Sequence, residues 1–218
     1  MSGRADYTPA LGVRWLTPIY DSAIALLTRE RAWRTMLAEA IDLKDGERLL
    51  DVGCGTGSLA VRLASIRSGA DVHGIDPDPD VLSRARLKAA KAGVRVEFHE
   101  GFVDDSFLAG RDQYDVITSS LVFHQVPLEG KRELLAAMRR ALKPGGRICI
   151  GDYGHQRTPL MRRLFRATVQ VLDGVADTQP NADGVLPDLI RRAGFDSVAE
   201  IAALPTATGS ISILSGHC

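Results

Sequence analysis

A short glycine-rich segment carries the clearest chemical signal in this sequence. Residues 49–57 read LLDVGCGTG, with glycines at Gly53, Gly55 and Gly57. Glycines remove side chains where a chain turns tightly, and they let a ligand touch the backbone. A strand that leads through such a turn into a helix is where open α/β sheets bind nucleotides. The segment therefore predicts a ligand-binding loop, with an ordinary tight turn as the alternative.

Two acidic residues near this loop narrow the class of ligand. Asp51 precedes the loop, a poor position beside a pyrophosphate but a good one beside an amine. Ser58 stands where a dinucleotide fingerprint has its third glycine. Asp76 lies roughly 20 residues beyond the loop, where a carboxylate accepts hydrogen bonds from both ribose hydroxyls. These features indicate a nucleoside without phosphates; the alternative for Asp76 is a helix cap, a role equally open to Asp78 or Asp80.

The elements that hold this loop alternate between strands and helices. Short apolar runs predict strands, and apolar residues repeated every three to four positions predict helices. The predicted strands are residues 48–52, 72–75, 94–99, 114–119 and 147–151, and the predicted helices are 21–43, 58–66, 79–92 and 131–142. This alternation indicates an α/β domain, in which helices cover both faces of a parallel sheet.

The C-terminal part of the chain follows a different pattern. Residues 195–203 and 210–215 are predicted strands, and the gap between them is too short for a helix. Parallel neighbours need a crossover of a dozen or more residues, so this last pair is predicted to be an antiparallel hairpin.

Composition excludes several classes of protein. The 27 Lys and Arg residues balance the 27 Asp and Glu residues, so the chain lacks the basic field that draws proteins to nucleic acid. Three scattered cysteines match neither a disulfide framework nor zinc-ligand spacing. The sequence contains no apolar stretch long enough to span a membrane and no signal-peptide pattern. We therefore expect a cytoplasmic protein with a small-molecule partner, and we expect no metal, no transmembrane segment and no nucleic acid.

Four motifs together resemble those of class I S-adenosylmethionine-dependent methyltransferases. They read LLDVGCGTGSLA, VHGIDPDPDVLSRAR, YDVITSSLVFHQVP and LKPGGRICIGDYG, in the order and spacing of that family. Within it, the chain is most similar to the ubiquinone/menaquinone-biosynthesis C-methyltransferase group, through IYD at 19–21, FHQ at 123–125 and AGF at 193–195. The resemblance implies a single Rossmann-like, doubly wound, seven-stranded sheet with strand order 3-2-1-4-5-7-6. It also implies S-adenosylmethionine as the cofactor and S-adenosylhomocysteine as its product.

The resemblance further implies roles for individual residues. The glycine loop would hold the methionine part of the cofactor, with Asp51 near its amino group. Asp76 would bind the ribose hydroxyls, and Pro77 would pack against the adenine. Ser119, at the end of the fourth strand, would meet the methionine end. Tyr20 would close over the cofactor, or it simply packs the N-terminal segment.

Adenine recognition departs from the family pattern at one position. Phe102 stands where related enzymes often carry an acid that binds the adenine amino group. Three alternatives remain open: Phe102 stacks on the adenine, Asp104 binds the amino group, or only the backbone of Val103 is used.

His124 is the candidate for acid–base chemistry. Methyl transfer from a sulfonium is an in-line displacement, and holding the reactants together supplies roughly 7–11 kcal/mol. A general base adds about 10²–10⁴-fold when the acceptor must lose a proton. His124 follows the fourth strand and faces the expected cleft, so we predict it as that base, with a histidine capping local backbone as the alternative. His73 and His99, on strands, are interpreted as core histidines.

The acceptor is expected beside the least patterned segments. Residues 1–43 are predicted to form a segment and helix that cover the cleft, ahead of a methyltransferase domain at 44–218. The apolar stretch 160–172 has helical spacing and is interpreted either as a lid or as ordinary packing. We expect a partly apolar pocket between Tyr20, His124, Tyr153 and this stretch. Asp152 and His155 are candidates for lining the same side, with structural roles as the alternative.

The predicted function is methyl transfer from S-adenosylmethionine to a small, partly apolar acceptor. Two alternatives use the same fold: an NAD-dependent oxidoreductase and a catalytically silent binding module. Asp51 and the absent third glycine count against the dinucleotide. The sequence assigns no oligomeric state.

Overall fold

Seven strands and nine helices make up residues 28–218, the part of the chain that this computed structural model describes. The strands are β1 (Arg48–Val52), β2 (Asp71–Asp76), β3 (Glu97–Glu100), β4 (Tyr114–Ser120), β5 (Leu142–Tyr153), β6 (Asp196–Thr206) and β7 (Gly209–His217). The helices are α1 (Glu30–Ile41), α2 (Ser58–Ile66), α3 (Pro79–Ala92), α4 (Asp105–Leu108), α5 (Leu128–Ala141), α6 (Pro159–Ala167), α7 (Val169–Asp173), α8 (Val175–Ala182) and α9 (Leu186–Arg192). One turn of 3₁₀-helix spans Phe123–Gln125.

The strands form one sheet with the order β3-β2-β1-β4-β5-β7-β6. β1 to β5 pair in parallel, and β7 pairs antiparallel with both β5 and β6. The predicted order, the parallel sheet and the C-terminal hairpin are therefore confirmed. Because the chain order reverses between β1 and β4, the carboxyl ends of these two strands flank a crevice, the usual ligand site of such sheets.

Two apolar layers cover the sheet, one on each face. Neighbouring residues of a strand point to opposite faces, so Leu49 joins one layer and Leu50 the other. The first layer holds the inward side chains of α1, α2 and α3, and the second those of α4, α5 and α9. Within residues 28–218, no helix combines the length and the apolar character needed to cross a bilayer.

The first helix differs from its predicted range. The prediction of a continuous helix over 21–43 is wrong, because Arg29 adopts a left-handed backbone conformation with φ of 53° and α1 begins at Glu30. The predicted cap at Asp21 or Ser22 lies outside the described residues. Trp33, Leu37 and Ile41 are fully buried in the first apolar layer. This helix therefore packs into the domain. The expectation that residues 1–43 cover the cleft stays a prediction, because residues 1–27 lie outside the described part.

The stretch 160–172 also differs from the predicted single helix. It forms α6 and α7, separated at Thr168, whose hydroxyl donates to the carbonyl of Leu164 and closes α6. Phe165 is buried, whereas Leu160 remains 65% exposed. A hydrogen bond from a side chain to the backbone accompanies this break. The helical spacing in the sequence does not predict it.

Two strands begin a few residues away from their predicted starts. β3 starts at Glu97 rather than Val94, and β5 starts at Leu142 rather than Arg147. The extra residues of β5 include Pro144, Gly145 and Gly146, and the pairing of β5 with β4 shifts register between Tyr114 and Val116. Such bulges depend on the partner strand, so strand periodicity does not reveal them.

Candidate functional site

The glycine loop leaves the carboxyl end of β1 and turns back into α2. Its first amide, that of Gly53, donates to the carbonyl of Ile75 at 2.9 Å, which ties the loop to β2. A Cβ added at Gly53 would lie 2.4 Å from Cγ2 of Val122. A Cβ at Gly57 would lie 2.9 Å from Phe98 Cζ. Both positions also have positive φ, so packing and backbone conformation together require glycine there.

Gly55 has a different environment. Its φ is +51°, yet no heavy atom of the described residues lies within 4 Å of the place where a Cβ would stand. The tip of the loop therefore faces open space beside β1. This exposed backbone is what a ligand in close contact with the loop requires.

Asp51 lies beneath the loop and is buried without a partner. Its side chain is fully inaccessible, and within residues 28–218 neither carboxylate oxygen has a hydrogen-bond partner. Burial, with a further contribution from the charge of Asp76, raises the pKa of Asp51 to about 7, although the guanidinium of Arg34 opposes the shift. A buried carboxylate is costly when its compensation is as weak as that from the charge of Arg34 and the backbone amide of Ala60. Its position is therefore typical of a site that a cationic ligand group completes.

Asp76 ends β2 next to the loop. Its Oδ2 accepts from the amide of Gly55 at 2.9 Å and its Oδ1 from the amide of Asp78 at 3.0 Å. Each carboxylate oxygen can accept a second hydrogen bond, so Asp76 retains capacity toward a ligand. Asp78 caps α3 by accepting from the amide of Asp80, so the cap role belongs to Asp78. Burial raises the pKa of Asp76 above its ordinary value.

The other predicted cofactor residues occupy varied positions. Pro77 follows Asp76 directly and is half-buried. Phe102 is 58% exposed after β3, whereas Val103 is buried in the second apolar layer. Ser119 is buried in β4, and its hydroxyl donates to the carbonyl of Val52 at 2.8 Å, so the side chain links β4 to β1. Tyr20 lies outside the described residues.

Asp104, one alternative for adenine recognition, caps α4. Its Oδ1 accepts from the amide of Phe107 at 2.8 Å and from the hydroxyl of Ser106 at 2.6 Å. The Ser106 hydroxyl and the Phe107 amide hold the pKa of Asp104 below its ordinary value. Both hydrogen bonds use Oδ1, so the cap does not exclude Asp104, and the three alternatives for the adenine stay predictions.

His124 lies in the 3₁₀-turn after β4, on the same edge of the sheet as the loop. Val122, the residue just before this turn, packs against Gly53 of the loop. Asp152, near the end of β5, holds this turn: its Oδ2 accepts from the amides of Val122 and Phe123 at 2.9 and 2.7 Å, and its Oδ1 lies 2.8 Å from His124 Nδ1. The carboxylate therefore fixes the imidazole and places its proton on Nδ1.

A second carboxylate faces the other nitrogen of the ring. Asp173 Oδ2, at the end of α7, lies 3.4 Å from His124 Nε2. Burial disfavours the charged imidazole, but Asp152 and Asp173 outweigh burial and raise the pKa of His124 to about 9. At neutral pH the ring is therefore held as a cation between two carboxylates.

Lys131 is a second buried cation, near the pair formed by His124 and Asp152. Its side chain is fully buried in α5 and donates to the carbonyls of Val126 and Asp177, so it joins the 3₁₀-turn to α8. Burial lowers the pKa of Lys131 to about 8, although Asp152 and Asp177 oppose the shift. The sequence pattern gave a site role to neither residue: Lys131 falls in a predicted helix, and Asp173 is distant from His124 along the chain and shares no motif with it.

Tyr153 connects His124 to the segment after β5. Its ring packs edge-on against His124 with centroids 5.0 Å apart, and against Phe165 of α6 at 5.2 Å. Its hydroxyl lies 2.8 Å from Oγ1 of Thr208. The structure thus brings together His124, Tyr153 and α6, three of the features predicted to bound the acceptor. His155 lines a cavity of about 110 Å³ with residues of α8, α9, β6 and β7, and neither His124 nor Tyr153 is part of its lining.

Comparisons with known proteins agree with this geometry. The sequence model of a family described as "Methyltransferase domain" matches residues 43–187. A ubiquinone biosynthesis O-methyltransferase from Aeromonas salmonicida is 37% identical over 105 residues, which are 48% of this chain and 42% of that protein. A demethylmenaquinone methyltransferase from Clavibacter sepedonicus is 37% identical over 151 residues, which are 67% and 58% of the two chains.

A solved structure matches over most of the chain. It is the S-adenosylmethionine-dependent methyltransferase SibL, with a TM-score of 0.66 and 25% identity, and the match covers 94% of this chain and 59% of that one. The chain thus spans about half the length of the relatives that it matches. It belongs to the methyltransferase domain family. The resemblance to class I S-adenosylmethionine-dependent methyltransferases, including the ubiquinone/menaquinone group, is confirmed, and the comparisons support neither the oxidoreductase nor the silent module.

The described residues fit S-adenosylmethionine as the cofactor. The amino group of its methionine part is a cation, which suits the unpartnered carboxylate of Asp51. The open backbone at Gly55 accommodates close contact, and Asp76 has acceptor capacity for ribose hydroxyls. Asp51 and Gly55 thus suit the amino-acid part of the cofactor, and Asp76 suits its ribose.

Replacing Gly55 by alanine separates ligand contact from backbone strain. We expect the Gly55→Ala variant to bind S-adenosylhomocysteine at least about tenfold more weakly, because a methyl group enters the space at the loop tip, and to lose roughly 1–2 kcal/mol of stability from its positive φ. Gly46→Ala is the matched control, since Gly46 also has positive φ and open space around it but lies in the turn before β1. Titration calorimetry and thermal melts compare the two. Equal affinities in both variants would remove the loop tip from the binding site.

Proposed function

We propose that this chain binds S-adenosylmethionine across the glycine loop and transfers its methyl group to a small, partly apolar acceptor beside His124. The observation that carries the proposal is the buried, unpartnered carboxylate of Asp51 beneath the open tip of the loop. The names of the relatives, which include ubiquinone and menaquinone methyltransferases, support an acceptor of this size and polarity.

The chain contributes binding, orientation and proton handling. When bound, the cofactor supplies a methyl group already activated on a cationic sulfonium. Asp51 pairs with the amino group and Asp76 accepts from the ribose, so the two carboxylates hold the donor at fixed positions. Tyr153 packs edge-on against His124 and Phe165 packs against Tyr153; both are buried, so they support His124 from behind. Holding the two reactants in line accounts for roughly 7–11 kcal/mol of the barrier.

His124 acts on an acceptor that must lose a proton. Asp152 holds Nδ1, so Nε2 is the nitrogen that takes the proton; this requires a neutral ring, and the side chains of Asp173 and Gln125, 3.4 and 3.2 Å from Nε2, must give way to the acceptor. The carboxylate of Asp173 near Nε2 then stabilises the imidazolium that forms. Tyr20 and residues 1–27 are proposed to cover the cleft, and a cytoplasmic location remains a prediction.

Calorimetry tests the identity of the cofactor. We expect S-adenosylhomocysteine to bind with micromolar affinity and NADH to show no binding. Asp76→Ala is expected to lose about 1.5–3 kcal/mol of binding free energy, the scale of hydrogen bonds to a charged group. Asp78→Ala is the matched control, because Asp78 is a neighbouring acid that caps α3. Binding of NADH without S-adenosylhomocysteine would overturn the proposal, as would equal losses in the two variants.

A cell-extract screen identifies the acceptor. The chain is incubated with small-molecule extract and S-adenosylmethionine carrying an isotopically labelled methyl group, and labelled products are found by mass spectrometry. We expect a small, partly apolar labelled product that depends on the chain. If the cofactor binds but a broad range of extracts yields no labelled product, the chain is a binding module rather than an enzyme.

A further inference from the structure

A cluster of two histidines and a glutamate lies on β2 and β3, away from the glycine loop. His73 is in the middle of β2 and pairs with Glu97, the first residue of the edge strand β3. Nδ1 of His73 lies 3.1 Å from Nε2 of His99, and Nε2 of His99 lies 3.4 Å from Oε1 of Glu97. One potential ligand atom from each of the three residues lies within 4.8 Å of the other two.

These separations match a metal coordination sphere. In a tetrahedral zinc site with bonds of about 2.0–2.1 Å, neighbouring ligand atoms are about 3.3 Å apart. The separations of 3.1 and 3.4 Å lie on either side of that value. The planes of the two rings differ by 14° with centroids 5.4 Å apart, so the two nitrogens point at each other and a bound ion requires the rings to turn. Glu97 is 53% exposed at its side chain, so its carboxylate can adjust toward an ion and water can reach the site. Two imidazoles and a carboxylate are a ligand set that suits zinc and its neighbours in the first transition series.

Asp71 orients the buried histidine for this role. Its Oδ2 lies 2.9 Å from His73 Nε2, whereas the donor Nε of Arg48 lies 3.4 Å from the same nitrogen; because a carboxylate only accepts, the shorter contact places the proton of His73 on Nε2. Nδ1 therefore presents its lone pair toward His99. A carboxylate that holds the far nitrogen of a ligating histidine is the usual outer-shell arrangement of metal sites. The same Asp71 oxygen accepts from Nε of Arg48 at 3.0 Å, so the cation of Arg48 is already paired.

We propose that His73, His99 and Glu97 bind a divalent transition-metal ion, with zinc as the best match, and that the ion joins β3 to β2. The simpler use of the same geometry is a hydrogen bond from His99 Nε2–H to His73 Nδ1. An ion replaces that bond when the proton of His99 moves to its Nδ1, so the net charge of the two rings is unchanged. β3 is a four-residue strand at the edge of the sheet with one strand neighbour. A metal clip stabilises such a strand directly, independently of methyl transfer.

Metal titration of the tag-free chain tests this proposal. Zn²⁺ is titrated by calorimetry and Co²⁺ by its visible absorption, in a Cys218→Ser background, since Cys218 is the free thiol that is not fully buried. We expect one ion per chain, a cobalt spectrum with nitrogen and oxygen ligands, and a melting temperature raised by roughly 5–10 °C at a hundredfold excess of zinc over Kd. No saturable binding, or binding without a change in melting temperature, would overturn the proposal.

Variants locate the ion. His99→Asn and Glu97→Gln are expected to weaken zinc binding at least about tenfold, and Asp71→Asn by about 10–100-fold through the orientation of His73. His217→Asn is the control, because His217 is an exposed histidine at the end of β7. Glu97→Gln keeps the test valid if His99→Asn fails to fold, since Glu97 is largely exposed. Unchanged affinity in Glu97→Gln, or an equal loss in His217→Asn, would place the ion elsewhere and contradict the assignment.

Discussion

Replacing His124 by alanine is expected to lower kcat by about 10²–10⁴-fold while the affinity for S-adenosylhomocysteine stays within about twofold. The reason is that His124 acts on the proton of the acceptor, whereas Asp51, Gly55 and Asp76 hold the cofactor. The measurements are steady-state turnover of the acceptor found in the extract screen and the affinity for S-adenosylhomocysteine by titration calorimetry. His217→Ala, an exposed histidine far from the site, is the matched control.

The pH dependence of turnover distinguishes a base from a packing residue. With a pKa of about 9, only about 1% of His124 is neutral at pH 7, so kcat should rise with pH through about 9. Replacing Asp173 by asparagine removes one of the two carboxylates that raise this pKa, so the rise should move to lower pH. Unchanged turnover in His124→Ala would show that His124 has only a structural role in the turn held by Asp152. Holding the cofactor and the acceptor in line would then be the whole mechanism.

Asp51 is expected to couple cofactor binding to pH. Its carboxylate pairs with the cationic amino group only when ionised, and its pKa is about 7 in the ligand-free chain. The affinity for S-adenosylhomocysteine should therefore fall about tenfold between pH 8 and pH 6. Asp51→Asn should lose about 1.5–3 kcal/mol of binding free energy at pH 8 and show little dependence on pH. Calorimetry at pH 6, 7 and 8 measures both.

The stability of the ligand-free chain should change in the opposite direction. Folding raises the pKa of Asp51 from 3.8 to about 7, so the folded chain binds this proton more tightly than the unfolded chain between those pH values. Raising the pH through that window therefore lowers the free energy of unfolding, by up to about 4 kcal/mol from this residue. Asp51→Asn should remove that slope, whereas the exposed Asp105→Asn should leave it. The same slope in Asp51→Asn and the parent would show that Asp51 is not the group that titrates.

Local sequence determined the elements that hold the cofactor. The run before Gly53 is apolar and short, and the residues after Gly57 have helical spacing, so β1, the loop and α2 fall where periodicity places them. The short gap between β6 and β7 required an antiparallel hairpin for the same local reason. Loop chemistry, strand ends and motif order also pointed to the family, because these features depend on residues that are neighbours along the chain.

Only the tertiary structure decided the electrostatics of the site. Asp51 is recognisable in the sequence as an acid before a loop. That its carboxylate is buried without a hydrogen-bond partner depends on the helices and strands packed around it. The cation at His124 depends on Asp152 and Asp173, which come from β5 and α7. The pairing of His73 with His99 depends on the register between β2 and β3. These contacts join residues far apart in the sequence, and a pKa or a ligand set responds to distances that no local pattern encodes.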